Sequence, residues 1–264
     1  MFEREGRMPI MAHLEELRKR ILYSVIALFI TFLVCFQYSE TLLGWMQIPL
    51  TLVLQVKPHW PFLFPQHLPN PIRLVFVRVD EALWMYMKIA FIAGIFLALP
   101  FLLLQLWLFI SPGLLPKERK YALPFIVSAT LMFVIGALFC QYVVLPFAVR
   151  FMLKFQTQQL TPMISVGYYT DFCSKFLLSF GIVFELPLII TLLSKLGLVT
   201  PKFLSKNRKY AVLLAFVVAA ILTPTPDAFN QCLMAVPLLL LYEMGIIMAK
   251  IFGRKKELPA PEQA

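Results

Sequence analysis

The chain is built from long apolar stretches separated by short segments that carry almost all of its charged residues. A transmembrane helix needs about 20 apolar residues, because each residue adds about 1.5 Å and the hydrocarbon core is about 30 Å thick. The pattern therefore predicts an all-α, polytopic membrane protein with six transmembrane helices. The supporting apolar stretches are Ile21–Phe36, Ile89–Ile110, Ala122–Val149, Phe176–Leu193, Tyr210–Leu222 and Ala228–Ala249.

The six predicted spans form a single membrane domain over residues 1–252, and residues 253–264 are expected to be a disordered cytoplasmic tail. The third stretch is longer than a bilayer requires and is expected to tilt or to run past the core. With their interfacial flanks, the spans are expected to cover about residues 21–42, 89–110, 122–146, 172–193, 210–223 and 228–249.

The fifth stretch, at about 13 residues, covers only about 20 Å and could be re-entrant instead of crossing the membrane. The distribution of basic residues favours a crossing. Six spans place most of the 24 Lys and Arg residues on the side of the amino terminus, and cytoplasmic loops are the ones enriched in such residues. Both termini are therefore predicted to be cytoplasmic. A short crossing implies either a locally thinned bilayer or a tilted, extended helix, and both alternatives remain open.

The segment between the first two spans, about residues 46–88, is rich in proline. Proline fixes a backbone torsion and removes a hydrogen-bond donor, so we expect ordered irregular chain or short helices here, not a sheet. The stretch VFVRVDEALWMYMK shows strand-like alternation that passes into the second span.

Composition strengthens the membrane prediction. Hydrophobic residues make up 60% of the chain and charged residues 14%, against about 45–50% and about 25% in soluble domains. The net charge of +10 is explained by basic loops on one membrane face, without a nucleic-acid partner. No small-x-small cleavage site follows Phe36, so the first span is expected to be retained, and no transit peptide is evident. The predicted location is the cell inner (cytoplasmic) membrane.

The sequence lacks the common catalytic signatures. It has no Walker A loop, no G-x-G-x-x-G, no H-E-x-x-H and no G-x-S-x-G. The four cysteines form no C-x-x-C pair, and we expect small buried hydrophobes, with a disulfide near the outer face as the alternative. No cofactor, no metal site and no enzymatic activity are predicted.

The first candidate site lies in HLEELRKR, residues 13–20, just before the first span. On a helix, Glu15 would face Lys19 and Glu16 would face Arg20, pairs that each stabilise a helix by about 0.2–0.5 kcal/mol. A second carboxylate, Glu118, lies in the loop PKERK on the same predicted face. Two fixed carboxylates can instead hold a cationic ligand, and arginine suits them because its planar fork pairs bidentately with carboxylate.

Three further acids are candidates. Glu185 lies near the middle of an apolar stretch, where a charge is costly, so it is either a functional group or a protonated or hydrogen-bonded structural carboxyl. Glu243 is expected at the interface or facing the bundle. Asp227, in the turn TPTPD, either has a functional role or caps the last helix.

Four motifs together resemble the TatC family, the multispanning component of the twin-arginine protein translocase. The resemblance covers roughly residues 10–252. It implies a receptor and assembly platform for twin-arginine signal peptides, which works with single-span TatA- and TatB-type partners. Such complexes, in which an oligomer is expected, move folded proteins across the membrane using the proton-motive force. The motifs are HLEELRKR, QLWLFISPGLLPKERKY, FLLSFGIVFELP and LTPTPDAFNQ.

The resemblance also implies residue roles. Glu16 and Glu118 match the recognition glutamates, while Glu15 falls at a more variable position. The bases Arg18, Arg119 and Lys120 match residues needed for signal recognition or loop structure. The other matches are Phe109 at the ordered start of the first cytoplasmic loop, Pro49 in the first outer segment, Glu185 in the fourth span, and Thr223 and Gln231 as a polar pair for partner docking.

A proton- or ion-coupled small-solute transporter that uses Glu185 is the alternative function. The buried acid and the proline-interrupted helices favour it. The absence of an internal repeat and the single central carboxylate disfavour it.

Overall fold

The computed structural model describes residues 10–56, 63–67, 74–111, 122–154, 163–223 and 227–253. Helices dominate these residues, and a single pair of short strands lies between the third and fourth helices. The strands are β1 Leu52–Val56 and β2 Leu63–His67. The helices are α1 Ile10–Gln37, α2 Ser39–Met46, α3 Ile48–Thr51, α4 Glu81–Ile110, α5 Ala122–Phe139, α6 Leu145–Leu153, α7 Val166–Phe184, α8 Leu186–Lys195, α9 Pro201–Lys206, α10 Arg208–Leu222 and α11 Ala228–Phe252.

The predicted all-α membrane architecture is confirmed. Five helical stretches in the described residues are long and apolar enough to cross a bilayer. The 15-residue helix α10, with a length of about 22 Å, lies where the sixth, short crossing is predicted. The five long stretches are His13–Gln37, Glu81–Ile110, Ala122–Leu153, Val166–Lys195 and Ala228–Phe252.

The expectation that the first outer segment contains no sheet is wrong. Strands β1 and β2 pair in antiparallel register, with Leu52 opposite His67 and Val56 opposite Leu63. Proline is compatible with this hairpin because each strand of a two-stranded sheet is an edge, where a missing N–H need not break a ladder bond. Pro65 lies in β2, opposite Leu54.

The chain divides into two compact units, Met1–Gly181 and Ile182–Ala264. In the first unit, α1 packs along α4, and the two helices approach most closely around Gly94. Thr31 Oγ1 donates to the Gly94 carbonyl at 3.0 Å, and a Cβ at position 94 would lie 3.1 Å from the backbone nitrogen of Phe32. Small residues allow such close helix contacts where lipid offers no hydrophobic driving force for association.

Two buried side chains of the first unit hold the break between α2 and α3. Gln141, in a π-helical turn over Cys140–Val144, donates from Nε2 to the Trp45 carbonyl at 2.7 Å. The Tyr169 hydroxyl donates to the Met46 carbonyl at 2.8 Å. Carbonyls at a helix end lack the usual partner within the helix, so these two bonds add donors where the helical ladder is interrupted.

Glu81 joins the start of α4 to the segment that precedes α7. Its carboxylate accepts from the backbone nitrogens of Val77 at 2.7 Å and Gly167 at 2.8 Å, and from the Ser165 hydroxyl. One turn of α7 further along, Asp171 pairs with Lys88 Nζ at 2.6 Å. Two polar connections therefore fasten this end of α4 to α7.

The second unit is organised around α11. Gly245 allows close packing, since a Cβ there would lie 2.7 Å from Ile190 Cδ1 on α8. At the start of α10, Arg208 forms a two-bond pair with Glu243 of α11, with both N–O distances 2.7 Å. A core of buried side chains from α7, α10 and α11 completes the unit: Val183, Ala215, Leu238 and Leu241.

The close contact at Gly94 predicts a specific sensitivity to side-chain volume. Gly94→Val should destabilise the protein by about 1–3 kcal/mol, because the added atoms meet the backbone of α1, which cannot rotate away. The measurement is the thermal melting temperature of the purified protein in detergent. Gly44→Val is the matched control, since a Cβ at position 44 has no atom within 4 Å. Equal melting temperatures for both variants would contradict the tight α1–α4 contact.

Candidate functional site

The Glu16 carboxylate sits on the second turn of α1 and is engaged through one oxygen. Its Oε1 accepts from Arg20 Nη2 at 3.1 Å, which confirms the predicted i,i+4 pair. The two side chains are 20% and 27% exposed, so solvent or a ligand can still reach them.

The corresponding pair predicted for Glu15 and Lys19 is wrong. Both side chains are exposed, and in the part of the chain that the structure describes neither forms an ion pair. Fixing two long, solvated side chains costs more entropy than an exposed pair returns. The two acids therefore differ: Glu15 is fully solvated, whereas Glu16 belongs to a side-chain network.

That network continues from α1 to α4. Arg20 Nη1 donates to Gln105 Oε1 at 3.2 Å, and Gln105 is buried at 6% exposure. Nearer the amino terminus, the rings of His13 and Phe109 stack with centroids 4.4 Å apart. Phe109 thus ties the end of α4 to the start of α1, one turn before Glu16.

A groove of about 250 Å³ lies beside this network, between α1 and α4. Arg20 and Gln105 supply its polar lining, and Ser24 also lines it. The rest of the wall is apolar and includes Leu17, Ile21, Val25, Leu102 and Leu106. A carboxylate beside an apolar groove can bind a chain segment that is cationic at one end and apolar beyond it.

Not every predicted binding residue can be placed. Arg18 is exposed on α1, two residues from both Glu16 and Arg20 and therefore on the opposite side of the helix. Glu118, Arg119 and Lys120 lie outside the described residues.

Glu185 lies at the junction of α7 and α8. Its backbone carbonyl accepts from the nitrogen of Ile189 at 2.9 Å, so the helical path continues past Pro187. The side-chain Oε1 is buried, and among the described residues it has no hydrogen-bond partner. A buried acceptor without a donor is costly, which fits a neutral carboxyl or a group that a partner satisfies.

The predicted polar pair at the end of α10 is engaged within the second unit. Thr223 Oγ1 donates to the Ala219 carbonyl at 2.8 Å, and Gln231 Nε2 donates to the Phe216 carbonyl at 3.1 Å. Both bonds thus end on backbone carbonyls of α10.

The capping alternative for Asp227 is confirmed. Its Oδ1 accepts from the backbone nitrogen of Asn230 at 2.7 Å, at the first turn of α11. Glu243 pairs with Arg208, as described above, and the neighbouring Tyr242 donates its hydroxyl to the Leu204 carbonyl at 3.0 Å. Pro49 is buried in α3.

Sequence reasoning missed several residues that organise these sites. Gln105 and Gln141 lie inside apolar stretches, where an uncharged amide is also expensive unless it is bonded. That rarity is the signal by which the sequence could have singled them out. Glu81 carried no comparable signal, because it lies at the polar start of a helix and two of its partners, Ser165 and Gly167, are more than 80 residues away.

Comparison with known proteins supports the resemblance seen in the motifs. The family model described as Sec-independent protein translocase protein (TatC) matches residues 12–237. The TatC protein of Carboxydothermus hydrogenoformans is 43% identical over 249 residues, which cover 94% of this chain and 96% of the relative. That of Desulforapulum autotrophicum is 37% identical over 264 residues, which cover 100% and 92%.

A solved structure is also similar. The crystal structure of a protein described as the twin-arginine translocase receptor TatC matches with a TM-score of 0.74 at 35% identity, covering 90% of this chain and 98% of that chain. A second crystal structure, described as the twin-arginine translocase receptor TatC in DDM, matches with a TM-score of 0.75. Family model, relatives and structures agree over almost the whole chain, and the protein therefore belongs to the TatC family of Sec-independent protein translocase proteins.

Proposed function

We propose that this protein is the receptor for twin-arginine signal peptides and the platform on which the translocation complex assembles. The observation that carries the proposal is the Glu16 carboxylate, held at the α1–α4 contact with one oxygen paired and 20% of the side chain exposed. Family membership supports the same function and lends no support to the small-solute transporter.

Arginine is the cation that this site suits best. A guanidinium offers parallel N–H donors that match the two oxygens of a carboxylate, whereas an ammonium binds as a point charge. The apolar groove beside Arg20 fits the apolar region that follows the charged start of a signal peptide. Paired arginines followed by an apolar segment therefore have a complementary surface on α1 and α4.

Glu118 is the proposed second carboxylate. The described chain ends at Ser111, just after Phe109, whose ring stacks on His13 one turn before Glu16. Glu118 lies seven positions after Ser111 in the chain, which limits the distance between their Cα atoms to about 25 Å. Arg119 and Lys120, next to Glu118 in the chain, and Arg18, on the same turn of α1 as Glu16, are the proposed supporting bases of this site.

The proposed setting is the cell inner membrane, with both termini in the cytoplasm. TatA- and TatB-type single-span proteins are the proposed partners, in an oligomeric complex energised by the proton-motive force. Thr223 and Gln231 are proposed to dock a partner at the outer end of α10. Glu185, whose buried oxygen has no partner among the described residues, is a proposed polar contact within the membrane.

The carboxylates provide the direct test. Replacing Glu16 by Gln should weaken binding of a twin-arginine peptide at least about tenfold, since a charge-assisted hydrogen bond contributes about 1.5–3 kcal/mol. The double variant Glu16→Gln, Glu118→Gln should abolish photocrosslinking to the peptide. Binding is measured with purified protein in detergent or nanodiscs.

Glu15→Gln is the matched comparison. It removes the same charge from the neighbouring position, but Glu15 is exposed and joins no network among the described residues, so its effect should stay below about twofold. Unchanged peptide binding in the Glu16, Glu118 double variant would place the receptor site elsewhere.

The proposed orientation can be tested with single cysteines in a Cys232→Ala background, which removes the exposed native thiol. A membrane-impermeant maleimide should label Val79→Cys, which is 97% exposed before α4, in intact spheroplasts. It should label Lys19→Cys only after lysis, because the basic end of the first span is retained inside. The reverse labelling pattern would overturn the orientation.

A further inference from the structure

Arg20 is the side chain that already occupies the carboxylate proposed to bind a ligand arginine. Its Nη2 donates to Glu16 at 3.1 Å, while Nη1 donates to Gln105 at 3.2 Å. A guanidinium from this protein therefore stands where the guanidinium of a bound peptide would pair.

The Glu16–Arg20 contact has the geometry of a displaceable pair. It uses one carboxylate oxygen and is longer than the roughly 2.7–2.9 Å typical of strong charge-assisted bonds. A bidentate ligand arginine needs both oxygens of Glu16 and can offer two bonds for the one that is lost.

Arg20 also has an alternative partner when it leaves Glu16. Gln105 is buried on α4 and can keep one bond to the guanidinium throughout. Arg20 Nε is buried, with no hydrogen-bond partner in the described part of the chain, so the guanidinium is incompletely satisfied even in the paired arrangement. When the bond to Glu16 breaks, the Arg20 guanidinium therefore loses one of its two hydrogen bonds and keeps the other, to Gln105.

We propose that Arg20 is an internal competitor that sets the affinity threshold of the Glu16 site. This inference rests on the proposed receptor function and adds a residue to it. A competitor that must be displaced lowers the affinity of every cationic ligand by the same factor. The ratio between arginine and lysine peptides is unchanged, but at a fixed peptide concentration only the stronger, bidentate ligand reaches high occupancy.

The expected size of the effect follows from the strength of the pair. A largely buried, single-bond ion pair that is anchored at a second point corresponds to about three- to tenfold in binding. Removing the competitor should tighten binding, whereas removing a residue that merely positions Glu16 should weaken it. The competitor role and the positioning role therefore predict changes of peptide affinity in opposite directions.

The experiment measures dissociation constants of a twin-arginine peptide and its twin-lysine counterpart on the full-length protein in nanodiscs. Arg20→Gln should bind both peptides about three- to tenfold more tightly, with their ratio unchanged within about twofold. Arg20→Lys keeps the charge but loses the fork that reaches both Glu16 and Gln105, so it should tighten binding by less.

Lys19→Gln is the matched control, because it removes the same charge from the adjacent, exposed position without touching Glu16. Lys19→Gln should change the dissociation constant of the peptide by no more than about twofold. The comparison separates competition at Glu16 from the general electrostatic effect of removing one positive charge. Each variant is first compared with the unmodified protein by elution volume and melting temperature. If Arg20→Gln does not fold, Arg20→Lys carries the test.

Two results would overturn the competitor role. Weaker peptide binding in the Arg20 variants would show that Arg20 positions Glu16. If Arg20→Gln tightened binding only as much as Lys19→Gln does, Arg20 would contribute no more than general electrostatic repulsion of a cationic peptide. Failure of the receptor proposal is a separate outcome, since Glu16→Gln would then leave peptide binding unchanged. Loss of binding in Glu16→Gln, together with unaltered affinity in the Arg20 variants, would reject only the competitor.

Discussion

The absence of water from the hydrocarbon core is the constraint on which this structure depends. Every helix break in an apolar environment exposes backbone groups that only the protein can satisfy. In the first unit, the break after α2 is satisfied from two other segments, by Gln141 at Trp45 and by Tyr169 at Met46. The π-helical turn that contains Gln141 belongs to the same solution, since π-turns commonly occur at such special positions. Polar residues in these spans are therefore specific ties between segments.

The sequence was sufficient to predict the all-α membrane class, because apolar length and charge bias depend on local composition alone. It also predicted the Glu16–Arg20 pair and the cap at Asp227, which are contacts within four residues along the chain. The hairpin β1–β2 was not predicted, because pairing across a proline-rich segment depends on register between separate stretches. Gln105 was missed as the partner of Arg20 because 85 residues separate them, and no spacing rule connects such positions.

The basic residues before the first span serve more than one physical purpose. Positive charge at this end of α1 favours its retention in the cytoplasm, an effect that depends on the number of bases and hardly on their positions. The structure nevertheless distinguishes Arg20 from its neighbours. Arg18 and Lys19 are exposed, whereas Arg20 turns toward α4 and meets a buried amide. An orientation signal would not require that placement, which is in keeping with the role proposed for Arg20 at the Glu16 carboxylate.

Two polar side chains add hydrogen bonds to backbone carbonyls in the last two turns of the short helix α10. Its length of about 22 Å is less than a bilayer core of about 30 Å, so at least one end lies near apolar surroundings unless the bilayer thins. Thr223 returns its hydroxyl to the Ala219 carbonyl, and Gln231 on α11 donates to the Phe216 carbonyl. The Ala219 carbonyl also accepts from the backbone nitrogen of Thr223 at 2.9 Å, so the hydroxyl adds a second donor to a carbonyl that is already bonded. The two bonds therefore satisfy the side chains of Thr223 and Gln231 themselves, which lowers the cost of placing these polar groups beside apolar surroundings. The proposed partner helix would then meet a Thr223 hydroxyl and a Gln231 amide nitrogen that are already bonded, and its affinity would come mainly from close packing.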